Sequence, residues 1–143
     1  MACAGRRHST QNAFYAAAGE AKVSAVDVRD IADVAVAALT ESGHEGKLYE
    51  LTGPQALTHA QMAEGLSEAL GRRVSFVDIP PEAMREALLG FGLPVWQADG
   101  LLEDYAHYRR GEATDVTSGV RDAIGKAPRS FEEFARDYAA MFS

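Results

Sequence analysis

The chain has 143 residues, of which 47% are apolar and 24% charged, and 14 Lys and Arg against 21 Asp and Glu leave a net charge of −7. An acidic chain without a basic block is poorly suited to a polyphosphate backbone, so nucleic acid is not an expected partner. One cysteine, Cys3, excludes a disulfide framework, and no apolar run approaches the ~20 residues of a membrane helix; a cytoplasmic protein is expected.

Residues 1–12, MACAGRRHSTQN, have no periodicity and read as a disordered or ragged tail; Arg6 and Arg7 are followed by no apolar segment of a secretory signal. The rest, 13–143, reads as a single α/β domain. NAFYAAAGEAK is expected to form a loop around Gly19, and VSAVDV (23–28) a strand with Ser24, Val26 and Val28 on one face. Asp30 is the expected N-cap of the first helix, whose buried stripe is Ile31, Val34, Ala35, Ala38 and Leu39, ending near Gly43. KLYELTG (47–53) reads as a second strand, turned by Gly53-Pro54.

Thr58-His59-Ala60-Gln61 is a capping box, opening a helix with Met62, Ala63, Leu66, Ala69 and Leu70 inward and Gly71 at its end. VSFVDI (74–79) reads as a third strand. Pro80-Pro81 ends it and starts a short helix with Met84, Ala87 and Leu88 inward. After GFGLP (90–94) a longer helix runs through Arg110, with Leu101, Leu102, Tyr105 and Tyr108 as its apolar positions. A helical turn around 120–124 follows. Ser130-Phe131-Glu132-Glu133 is a second capping box, and Phe131, Phe134, Ala135, Tyr138 and Phe142 share one face of the last helix. The expected architecture is α/β, with a small sheet of about three strands and five or six helices.

Chemistry is sparse. His8, His44, His59 and His107 are scattered, and Asp104 with His107 gives only two of the three or four ligands that zinc needs, so no metal is expected. There is no GxSxG elbow, no Tyr-x-x-x-Lys pair, and neither GxGxxG nor GxxxxGK[ST]. No complete set of catalytic groups is visible. Asp27, Arg29 and Asp30 read as a capping and ion-pair cluster at the strand–helix junction.

Three separated stretches, FYAAAGEAKVSAVDVRDIADVAVAAL, KLYELTGPQALTHAQMAEGLSEALGRRVSFVDIPPE and GKAPRSFEEFARDYAAMF, resemble the C-terminal half of NmrA-like proteins. VDVRDIA and YELTGP are the most specific segments. These proteins are atypical short-chain dehydrogenases that bind NAD(P), and they begin with a Rossmann unit carrying a glycine-rich phosphate turn. That turn is absent from these 143 residues, so the resemblance implies a truncated member that binds no dinucleotide alone. It also implies a substrate pocket wall from Phe14, Tyr15, Phe91, Trp96 and Tyr105, suited to a small apolar or quinone-like ligand.

The segments 23–28 and 48–52 would lie in the large sheet of such a protein, beside strands that are not in this sequence. An unpaired sheet edge implies a homo-oligomer, or docking to a missing N-terminal half or partner chain. The functional expectation is an oxidoreductase-derived, substrate-side domain, inactive alone. The alternative is a non-catalytic regulatory or ligand-binding module acting through self-association or a partner.

Overall fold

Residues 12–142 are described by the structure, a computed structural model; the expected N-terminal tail, Cys3 included, lies outside them except for Asn12. The first element corrects the sequence reading. Ala13–Ala16 is not loop but strand β1, joined in parallel to Ser75–Asp78, with Phe14 opposite Phe76 and Tyr15 opposite Val77. The loop begins after it, where Gly19 adopts φ 55° and its N–H donates to Asp78 Oδ1 at 2.8 Å.

The expected strand 23–28 shrinks to β2, Lys22–Val23, which pairs antiparallel with β3, Leu57–Thr58. Val28 is already helical. Helix α1 spans Val28–Thr40, and its N-cap is Asp27 rather than Asp30: Asp27 Oδ1 accepts the Arg29 N–H at 2.9 Å. Arg29 closes the junction further, reaching Asp27 and Asp137 at 2.7 Å each and lying over the Tyr138 ring at 5.1 Å. The ion-pair cluster read from the sequence is therefore present, with Asp30 in a different role within it.

The inward stripe of α1 also differs. Of Ile31, Val34, Ala35, Ala38 and Leu39 only Val34 is buried; Asp30 and Ala37 are the other buried positions. Residues 47–53, expected as the second strand, pair in no ladder among the described residues and lead to a bend at Pro54. Strand β4, Ser75–Asp78, coincides with the third expected strand.

The local helix signals carry through. Helix α2, His59–Leu70, has its capping box, with Gln61 N–H to Thr58 Oγ1 at 3.1 Å and Thr58 N–H to Gln61 Oε1 at 2.9 Å. It stops at Gly71, whose φ of 62° suits glycine. Helix α3, Pro81–Gly90, buries Met84, and α4, Val95–Arg109, buries Ala98; Arg85 and Asp99 link the two at 2.7 Å. Helix α5 is Gly119–Ile124, and α6, Phe131–Asp137, has its own box between Ser130 and Glu133 before a 3₁₀ turn, Ala139–Met141.

The class is α/β, but the sheet is divided into two short pairs, β1–β4 and β2–β3. Two packing centres hold the elements. Val34 of α1 meets Val120 and Ala123 of α5, with Tyr49, Leu51 and Ile124 against them. Helices α2 and α6 pack where Gly65 lets the Phe131 ring approach: a Cβ there would sit 3.1 Å from Phe131 Cδ1. No helix among the described residues is long and apolar enough to cross a membrane.

Candidate functional site

Alternation along β1 sends Phe14 and Tyr15 to opposite faces. Phe14 lies 5.5 Å, centroid to centroid, from its register partner Phe76. Between this pair and α4 stands His59, the first residue of α2, at 6.4 Å from Phe14, 5.3 Å from Phe76 and 5.7 Å from Tyr105. Tyr105 continues the row to Tyr108, an edge contact at 5.3 Å. The four aromatic residues are half-buried and His59 is buried. The result is an aromatic wall built by one strand pair and two helices.

Of the five residues expected from the sequence, Phe14 and Tyr105 are thus brought together. Tyr15 faces the other side of β1 beside Val77, 47% exposed. Phe91 and Trp96, 62% and 72% exposed, stand at the corner between α3 and α4. His59, Phe76 and Tyr108 were not among the expected site residues. Alternation in VSFVDI gave a signal for Phe76; for His59 there was none, because its capping-box position says nothing of what packs on its ring.

The wall is chemically quiet. His59 Nδ1 is buried with no hydrogen-bond partner among the described residues. Burial holds the His59 pKa below the ordinary imidazole value, against the opposite pull of Asp78. The ring is therefore neutral at pH 7. Burial, with Tyr108 as a lesser cause, raises the Tyr105 phenol, which keeps its proton and is a hydrogen-bond donor. Flat apolar area, two phenols and one neutral imidazole suit stacking and hydrogen-bond donation rather than proton abstraction.

The His59 environment has a measurable consequence. The unfolded chain binds a proton near pH 6.5 while the folded site resists it, so stability is lost as pH falls below about 6.5. His59→Phe removes that loss. Urea midpoints between about pH 7.5 and 5.5 are expected to fall less steeply in the variant, by at most ~1.4 kcal/mol per pH unit. Parallel slopes would contradict the buried neutral state.

A pyrophosphate site is a different matter. It needs helix N-terminal N–H groups left free and a positive or neutral setting. Here α1 begins with the carboxylates of Asp27 and Asp30, and the amides of α2 and α6 are occupied by Thr58 and Ser130. Helix α3 follows Pro80 with no glycine turn before it, while α4 follows the turn at Phe91 and Gly92, where Gly92 has φ 89°, and then Pro94. The starts of α1, α2 and α6 therefore offer no free amides to a dinucleotide phosphate, and no chemical step is assigned to one. An open groove of about 570 Å³ between α2 and β4, lined by Ala63, Glu64, Ser67, Arg73 and Phe76 among others, contains none of the five expected residues.

No family model matches the chain. Among curated proteins it is similar to an NAD(P)H azoreductase of Xenophilus azovorans, 46% identical over 129 residues, which are 90% of this chain and 45% of that protein. Among solved structures it is similar to an NADPH-dependent quinone oxidoreductase from Escherichia coli, with TM-score 0.80 and 29% identity over 94% of this chain and 48% of that one. A triphenylmethane reductase of Citrobacter sp. superposes with TM-score 0.81 and 27% identity, over 95% of this chain and 47% of that one. The chain spans about half the length of the relatives it matches.

Proposed function

We propose that this chain is the counterpart of the C-terminal half of an NmrA-like, NAD(P)H-dependent azo or quinone reductase, and that it supplies the substrate-side wall of such a reductase. The ligand is a flat apolar electron acceptor of the quinone or azo class. The observation that carries this reading is the His59-centred aromatic wall, in a chain 46% identical over most of its length to an azoreductase. Reduced nicotinamide supplies the hydride in the family's chemistry. The 143 residues of this chain contain no glycine-rich phosphate turn, so on this reading they bind the acceptor and do not reduce it unaided.

The division of labour among residues follows from their placement. Phe14 and Phe76 offer ring faces for stacking, and Tyr105 and Tyr108 offer hydroxyl donors to a carbonyl or azo nitrogen at the edge. Phe91 and Trp96, at the corner between α3 and α4, are assigned to the outer margin of the wall, and Tyr15, on the opposite face of β1, is left outside it.

Trp96 is the sole tryptophan and reports binding directly. Titration with a water-soluble naphthoquinone is expected to quench its emission along a saturable curve, with half-saturation below about 1 mM, the ~4 kcal/mol floor of specific binding. Tyr105→Ala is expected to weaken binding several-fold, as loss of a stacked ring does. Quenching that rises linearly without saturation, or that ignores Tyr105, would refute the assignment. Titration with NADPH should give no saturable nicotinamide signal.

A further inference from the structure

Among the described residues, strand β4 has a strand partner on one edge only. The Ser75 N–H donates to the Asn12 carbonyl at 2.8 Å and the Ile79 N–H to the Ala16 carbonyl at 3.1 Å. The odd-numbered residues of β4 therefore face β1. Along a strand, successive residues turn their N–H and C=O groups to opposite sides, so Val74, Phe76 and Asp78 face away from it. Val74 shows where that side leads, because its N–H donates to Ser67 Oγ of α2 at 2.8 Å. The N–H groups of Phe76 and Asp78 donate to no described residue, and no described donor reaches the Phe76 carbonyl.

This edge is recessed. It borders the groove of about 570 Å³, which Ala60, buried Ala63, Glu64 and Ser67 line from α2, and Ser75 and Phe76 from β4. Proteins commonly protect a bare edge with lysine, proline or a bulge, and the five residues VSFVD, 74–78, contain neither lysine nor proline. The helix leaves room beside the strand for one chain. An extended peptide is the ligand that such a groove takes: its main chain adds a strand to the edge and alternate side chains reach the helix.

The charges select among peptides. Glu64 and Glu68 are exposed and one turn apart on α2, a repulsive i, i+4 pair, and no described residue forms an ion pair with either. The lining thus holds two carboxylates against one guanidinium, Arg73, in a chain of net charge −7.

We propose that the α2–β4 groove is a docking site for a short extended segment of a partner protein, with a lysine or arginine set against Glu64 and Glu68. The segment pairs with the Phe76 N–H and carbonyl along the free edge of β4. A flat small molecule fits less well, because it leaves those backbone groups unpaired. A second copy of this chain joined edge to edge fits less well too, since it brings two such carboxylate pairs together and VSFVD has no cation to offer them. The inference does not rest on the functional reading above.

The test is calorimetric titration of the full chain with the acetylated pentapeptide amide Thr-Val-Lys-Val-Thr. Saturable binding is expected, with half-saturation below about 1 mM. Amide exchange at Phe76 and Asp78 should slow by about fivefold or more when the peptide is bound. Glutamate in place of the peptide's lysine should weaken binding about tenfold. Glu64→Lys with Glu68→Lys should reverse that preference and leave the circular dichroism unchanged, since both side chains are exposed. The lysine peptide with every main-chain nitrogen methylated keeps its charge, loses its donors and should not bind. The proposal is overturned by an absence of saturable binding, by unaltered exchange at Phe76 and Asp78, or by equal binding of the methylated peptide. A peptide preference that the double substitution leaves in place would overturn it as well. A homodimer that protects Phe76 without peptide would give the edge to a second copy, which is equally fatal.

Discussion

Asp30→Ala is expected to lower the unfolding free energy by about 3 kcal/mol, toward the lower end of what breaking a buried ion pair costs. The Asp30 carboxylate sits in the first turn of α1 and is 2% exposed. One oxygen accepts the Arg129 backbone N–H at 2.7 Å and the other accepts the Arg129 guanidinium, across 99 residues of chain. It thus fastens the start of α1 to the residue just before the α6 capping box, while its charge faces the positive end of its own helix dipole. Alanine leaves the Arg129 amide without its acceptor and removes the buried carboxylate of the ion pair. The guanidinium keeps 35% of its exposure and can rehydrate, which places the cost below the top of the range. Asp33 holds the same guanidinium at 3.0 Å from the surface, and Asp33→Ala is expected to cost less than ~1 kcal/mol. Urea unfolding with unchanged m-values checks both. Equal midpoints for the two variants would contradict the weight given to burial.

Asp30 also shows what was legible in the sequence and what was not. Both capping boxes, the stop at Gly71 and the proline-led start of α3 are signals written within four residues, and all appear where the local chemistry puts them. The cap of α1 is harder, because Asp27 and Asp30 are equally good acceptors. The choice falls to Asp27 because Arg29 folds back on it and Arg129, a distant residue, claims Asp30. The buried stripe of α1 could not be read, since its apolar positions cover far more of the surface than one stripe and α5 decides which of them are covered. Strand β1 was missed for a related reason: AFYA has no alternation, and its partner lies about 60 residues on. In the wall, Phe14 and Tyr105 were named from the family resemblance, but only tertiary packing places His59 between them.

Gly119→Ala is expected to destabilise the protein by about 2–4 kcal/mol, although alanine is the better helix former by about 1 kcal/mol. A Cβ at Gly119 would sit 2.0 Å from the Glu50 carbonyl oxygen and 2.7 Å from its carbon. Both are backbone atoms of a segment pinned by Thr117, so no side-chain rotation relieves the clash. The segment or the start of α5 must move. Either shift stretches the two Thr117 hydrogen bonds and opens the contact of Val120 with Val34, Tyr49 and Leu51. Gly100 in α4 supplies the contrast, since nothing lies within 4 Å of the Cβ it would gain. Gly100→Ala is expected to stabilise by about 0.5–1 kcal/mol through helix propensity alone. Opposite signs in thermal or urea unfolding check the pair; a Gly119→Ala variant as stable as the parent would mean that 50–53 is not pressed against α5. The contact that excludes a methyl group at Gly119 thus fixes Glu50 against the start of α5.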